Sequence, residues 1–148
     1  MKHIILIFTI ILSTNLSSQT HLSYYFGDNT NFDESIPKPS EIIGHEVGEW
    51  HVTHDKLVQY MYAVAEASDR VLIEETGKTY ENRPLLILKV SSNKNIKVLE
   101  KIQKKHIEIS DGKKMNEFDN MPAVVYQGYG VHGNEASASN ASILGIYY

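Results

Sequence analysis

Two β-branched, leucine-rich runs, Val71–Thr76 and Leu85–Val90, stand on either side of Gly77-Lys-Thr-Tyr-Glu-Asn-Arg-Pro84. Short apolar runs bounded by glycine and proline read as the two strands of a hairpin. Gly77 supplies a permissive backbone position, and Pro84 sits at a strand start, where a missing N–H is tolerated. Helical periodicity brackets the hairpin on both sides. Before it, Leu57, Met61, Val64 and Ala65 fall at i, i+4, i+7 and i+8, which predicts a helix from about His54 to Ala67. Thr53 is its expected N-cap, and Asp55 lies in the first turn, where the helix dipole favours an acid. After the hairpin, Ile96, Leu99, Ile102 and Ile107 occupy one side of a second helix and Lys97, Lys101, Lys104 and Lys105 the other. Asp111-Gly-Lys-Lys114 reads as a surface turn, Pro122 opens a third strand from Ala123 to Gln127, and a last helix follows. Helix, two strands, helix, strand, helix is an α/β order around a mixed sheet.

The 148 residues suffice for one modest domain with a single core. Hydrophobic content of 42% and charged content of 22% are those of an ordinary globular chain. The net charge is −4 and the basic residues are scattered, Lys101, Lys104 and Lys105 forming the only cluster, so no nucleic-acid partner is expected. Cysteine is absent, which excludes a disulfide framework, a thiolate metal site and a cysteine nucleophile. Any transition-metal site must then use His, Asp or Glu.

Residues 1–19 read as a secretory signal peptide. A short basic start, Met1-Lys2-His3, precedes the nine apolar-rich residues Ile4–Leu12 and a polar, small-residue exit. That core is well short of the ~20 apolar residues of a spanning helix, so no membrane span is expected in the mature chain. Cleavage is expected between Ser17 and Thr20, and export without cysteines fits a secreted or periplasmic bacterial protein. Residues 20–50, rich in Asn, Asp, Ser and Pro, read as an extended lead-in.

Continuous apolar strands such as Ala123-Val-Val-Tyr126 are those buried on both faces of a sheet. In open α/β sheets the ligand site lies just beyond the carboxyl ends of such strands, and His132 and Glu135 fall there, after Gly128-Tyr-Gly130. Imidazole nitrogen and carboxylate oxygen both bind Zn²⁺ at about 2.0–2.2 Å, and a three-residue offset at a helix start lets both point one way. Gly133 between them permits close backbone approach. The alternative is a loop histidine beside a favourable first-turn acid. His45, Glu46, Glu49, His51 and His54 form a second crowded set, read either as a rival metal site or as solvated surface. Trp50 is expected to anchor the core against the first helix. Tyr126 and Tyr129 flank the candidate metal, Tyr126 alternating with Val125 towards the core. Two common zinc signatures are absent: His-Glu-x-x-His fails at Glu49, and His-x-x-Glu-His fails at Ala136.

Gly77-Lys-Thr-Tyr-Glu-Asn-Arg-Pro-Leu-Leu86 resembles the Gly-x-Ser/Thr-x-Glu-Gly-Arg-Pro segment of zinc carboxypeptidases of the carboxypeptidase A type. Pro122 to Glu135 resembles the strand and His-x-x-Glu zinc motif that follow it in that family. Order and separation agree, and the resemblance runs from about His51 to Tyr148. It implies a three-layer α/β/α, phosphorylase/hydrolase-like fold of which residues 51–148 form the N-terminal part. It also implies a Zn²⁺ held by His132, Glu135 and a histidine far downstream. A metal-activated water would cleave a peptide bond near the substrate's C-terminus, helped by a downstream glutamate as base, and a downstream arginine would bind the terminal carboxylate. None of those three partners lies in this chain, so the resemblance implies an inactive metallocarboxypeptidase fragment with no catalytic residue of its own.

The family often carries arginine just before the zinc glutamate, where it helps hold the substrate carbonyl. Here the position is Asn134, without charge or bidentate fork, and Asn134 is the expected substrate contact. His-Gly-Asn-Glu is the form of the related desuccinylase and aspartoacylase-like branch, which hydrolyses small N-acyl amino acids. The expected substrate is accordingly a peptide or a small N-acyl amino acid. The Arg83-Pro84 segment and the export signal favour the peptidase branch, with Arg83 itself bracing the hairpin. A third reading is a non-catalytic secreted binding module complete at Tyr148. Against it, Ala136, Ala138, Ala141, Ile143, Leu144 and Ile146 continue helically to Tyr147-Tyr148 with no closing Gly, Asn or Pro, which reads as a helix cut short.

Overall fold

The computed structural model describes residues 22–113 and 121–148; the signal peptide expected at residues 1–19 lies outside the described residues. The chain divides into two units, residues 1–31 and 32–148. In the first, a short helix α1 (Leu22–Phe26) is closed by Gly27 at φ +80°, whose N–H donates to Ser23 O at 2.7 Å. The Thr30 hydroxyl donates to Phe26 O.

The second unit begins with α2 (Pro39–Ile43), so the lead-in over residues 20–50 is not uniformly extended but carries two short helices, α1 and α2. The local chemistry explains α2. Pro39 stands at the first helical position, where its fixed φ is already helical, and the Glu41 carboxylate accepts from Lys38 N–H at 3.1 Å. Gly44, at φ +87°, closes the helix in the left-handed conformation.

Helix α3 (His54–Ala67) has the bounds its periodicity predicts. Thr53 occupies the N-cap position, but its hydroxyl makes no capping bond; it hydrogen-bonds the Asp55 carboxylate and holds its pKa below the ordinary value. The inward stripe is Tyr60, Met61 and Val64, and Tyr60 is wholly buried. Around it sit Ile43, Val47, Val52, Val71, Ile143 and Tyr147. Val47 and Val52 take the buried places beside α3, and Trp50 between them is 67% exposed, which corrects its expected role as a core anchor.

Strands β1 (Val71–Lys78) and β2 (Pro84–Val90) pair antiparallel, Val71 opposite Val90, Ile73 opposite Leu88 and Glu75 opposite Leu86. The ladder then slips, Gly77 facing Leu85, so Thr76 is the extra residue of a bulge. Val71, Ile73, Leu86 and Leu88 share the more covered face, packed towards α3, while Leu72 and Ile87 remain 43% and 42% exposed on the other. The turn is organised by Thr79. Its N–H donates to Arg83 O at 2.9 Å, and its hydroxyl accepts from Glu81 N and Arg83 N at 3.3 and 3.2 Å. Asn82, where the resembling segment carries glycine, sits at φ +60°, a left-handed geometry that asparagine tolerates better than most residues. Arg83 pairs with Glu81 at 2.9 Å on the turn's surface.

The second predicted helix is two pieces, α4 (Asn93–Ile96) and α5 (Leu99–Ser110), broken at Lys97-Val98. Ser92 caps α4 by accepting from Asn95 N–H, and Val98, at φ −125°, interrupts the helical path before α5. The third strand expected at Ala123–Gln127 is not formed: the segment is irregular, with Val124, Val125 and Tyr126 exposed by 73%, 77% and 86%. β propensity makes a strand only where a neighbour completes the ladder and covers the side chains, and β1 and β2 are the strands paired among the described residues. Tyr126 therefore faces solvent and not the core. Helix α6 (Ala136–Tyr147) returns to the core through Ile143 and Tyr147, whose ring stacks on Phe32 at 4.6 Å. The result is a mixed α/β unit with α3 at its centre, touching α2, α6 and both strands.

Candidate metal centre

The head of α6 presents both candidate donors. Gly130 turns the chain at φ +79°, residues 131–134 form a tight turn, and Glu135 N–H donates to His132 O at 3.1 Å. Glu135 is the residue on which α6 begins. Its carboxylate makes no helix cap and reaches back instead: His132 Nδ1–H donates to Oε1 at 2.7 Å, and the His132 backbone N–H donates to Oε2 at 3.4 Å. The two side chains are 69% and 49% exposed, so solutes reach them freely. Two ligands on one tetrahedral zinc at 2.0–2.1 Å stand roughly 3.3 Å apart. The pair is within a small rotation of that spacing once a proton is exchanged for a cation, and imidazole with carboxylate is a donor set zinc accepts. The pair fits as two ligands. Among the described residues no group of three or more His, Asp or Glu side chains assembles, so a third donor is not brought to it.

The loop is tied to the helix it leads into. Next to Ala138, a β-carbon at position 130 would be in ordinary contact, 3.9 Å away. Tyr129 lies along α6, its hydroxyl donating to Gln127 Oε1 at 2.9 Å. On another side of α6, Asn140 fastens the segment of the second histidine set: its Oδ1 accepts from Gly48 N at 2.8 Å, and its Nδ2 donates to Trp50 O and Ala136 O, each at 3.3 Å.

That second set does not converge. His45 Nδ1–H donates to Glu46 O at 3.0 Å, the Glu49 carboxylate accepts from Glu46 N at 3.1 Å, and His54 Nε2–H donates across to Pro84 O at 3.2 Å. His54 thus fixes the start of α3 against the start of β2. Asn134 is exposed in the turn between the two donors. Tyr60 and Asn140 are the working residues that pattern reading passed over; only Tyr60 had a signal, lying one position from the α3 stripe.

An α/β chain thus brings a histidine and a carboxylate together at the head of a helix. Residues 57–148 match the family model for zinc carboxypeptidase, and the chain belongs to that family, a class of zinc-dependent peptidases acting on peptide substrates. The match starts within α3 and takes in the hairpin, α5, α6 and both donors. No curated protein and no solved structure matches the chain.

Proposed function

We propose that His132 and Glu135 are two ligands of a catalytic zinc in a metallocarboxypeptidase-type hydrolase that cleaves an amide bond near a substrate's C-terminus. The observation that carries this reading is the 2.7 Å approach of His132 Nδ1 to Glu135 Oε1 inside the span that matches the family. Zinc bound there would supply a Lewis acid that polarises a carbonyl and activates water near neutral pH. The chain's own contribution is positional. Glu135 holds the imidazole with Nδ1 directed at the ligand position, and the turn from Gly130 to Glu135 leaves the other face of the pair open to solvent. Asn134 beside the pair offers a single neutral donor to a substrate carbonyl. Zn²⁺ titration against a chromophoric chelator tests the assignment: His132→Ala and Glu135→Gln should each weaken binding at least tenfold. Unchanged affinity in both variants would sink it.

Asn134 favours a second reading on the same chemistry, hydrolysis of small N-acyl amino acids, because a neutral carboxamide binds a carbonyl without an arginine's charge or fork. Relative binding of peptides and N-acyl amino acids to the zinc-loaded chain, read by calorimetry, should shift towards peptides in Asn134→Arg; an unchanged ratio would count against Asn134 as the substrate contact. The same proposal carries the three-layer α/β/α, phosphorylase/hydrolase-like architecture of that family, supported by helices packed against an antiparallel hairpin within the matched span. It also places the mature protein outside the cytoplasm, on the strength of the N-terminal pattern. Among the described residues no helix is long and apolar enough to cross a membrane. N-terminal sequencing of the exported protein should begin between Ser17 and Thr20.

A further inference from the structure

Helix α6 carries a glycine, Gly145, in its last turn, where alanine would favour the helix. A β-carbon at that position would lie 2.8 Å from the Tyr129 hydroxyl oxygen and 3.7 Å from its Cζ. The first distance is a collision and the second an ordinary contact, so the conflict is with one oxygen atom. Gly130 lies beside Ala138, and positions 138 and 145 are seven residues apart, two turns along one side of α6. That side is not the one that Ile143 and Tyr147 bury. Tyr129 and Gly130 together therefore lie lengthwise on α6, and the next residues of the same loop are His132 to Glu135.

We infer that the Tyr129–Gly145 contact positions the His132 loop: the missing side chain at 145 lets Tyr129 lie down on α6, and this seating holds His132 over Glu135. Tyr129 is then a positioning residue, acting through the loop. The inference rests on the zinc reading for its functional consequence, but the contact itself is independent of metal. A purely structural role for position 145 predicts the opposite of what we expect, since alanine there should improve the helix. Positioning partners of metal ligands are worth about 10–100-fold in affinity.

The test uses the 148-residue chain with three variants, Gly145→Ala, Tyr129→Phe, and the two combined. In each, nuclear Overhauser contacts between the aromatic ring at position 129 and residue 145, and amide exchange across residues 130–135, are read without metal. Zn²⁺ affinity is read by chelator competition. Gly145→Ala should displace the Tyr129 ring from its place on α6, speed exchange across 130–135 and weaken zinc on the order of tenfold, with global stability unchanged or raised. The double variant removes the colliding oxygen and should restore all three readouts. If Gly145→Ala leaves exchange and zinc affinity as they were, or if the double variant behaves no better than Gly145→Ala, the inference is overturned. Should zinc affinity be insensitive even to His132→Ala, the zinc reading fails, and the metal-free contacts and exchange still decide the positioning contact.

Discussion

At the scale of single residues, Tyr60 is the most perturbed group among the described residues. Burial, then the neighbouring Tyr147 and Glu41, push its phenol well above the ordinary value near 10, and its hydroxyl donates to Pro37 O at 3.3 Å. Tyr147 is raised in the same direction, mainly by burial and then by Glu41. The neutral phenol is the form that suits the folded state. Its contribution is fully present below the unfolded pKa near 10 and is lost as pH climbs through the folded value. Urea unfolding repeated from pH 8 upwards should show stability falling beyond about pH 10, and Tyr60→Phe should flatten that fall while costing about 1 kcal/mol at neutral pH for the lost hydrogen bond. A Tyr60→Phe profile as steep as the wild type's would show that another group controls the alkaline limb. Asn82 offers a second residue-scale test. At φ +60°, Asn82→Ala should cost about 1–2 kcal/mol, whereas Asn82→Gly should be close to neutral. That contrast, read by thermal unfolding, separates backbone geometry from side-chain contacts.

At the scale of elements, what the sequence made legible was local and what it hid was tertiary. The i, i+4, i+7 pattern located α3 because burial on one side of a helix writes itself into residue spacing. The hairpin was legible for a similar reason, glycine and proline marking its ends, although the bulge at Thr76 left no pattern of its own. The apolar run at Ala123–Gln127 has strand composition too, but composition cannot say whether a partner strand is present to receive it. Likewise His132 and Glu135 were visible from type and spacing, and their 2.7 Å approach was not. Nothing in the sequence linked Gly145 to Tyr129 or Asn140 to Gly48, since both depend on how distant segments pack. Packing also ranks the apolar residues. Ile143 is completely buried and Ile107, on α5, is 54% exposed. Ile143→Ala should cost about 2–5 kcal/mol, against a change within about 0.5 kcal/mol for Ile107→Ala, and equal losses in denaturant titration would contradict the placement of the core. The Lys89–Glu74 pair across the hairpin is exposed on both partners, so its removal should change stability by less than about 1 kcal/mol.

At the scale of the whole molecule, the donor count governs behaviour. His132 and Glu135 converge, and among the described residues no group of three or more His, Asp or Glu side chains assembles. A site limited to that pair should bind Zn²⁺ weakly, and a chelator-competition titration giving tight one-to-one binding would show that a further donor joins it. The fold also fixes an order of events. The hairpin closes over a short stretch of chain, but Asn140 meets Gly48 across a separation of 92 residues, and Ile143 reaches the α3 core over a comparable span. Loop closure of that length carries an entropic toll which contacts repay only after they form. The hairpin is then the early structure in folding and the docking of α6 the late one. Because α6 opens on Glu135, the proposed zinc pair should become rigid only in that last step, so that metal uptake would follow the docking of α6 and not precede it.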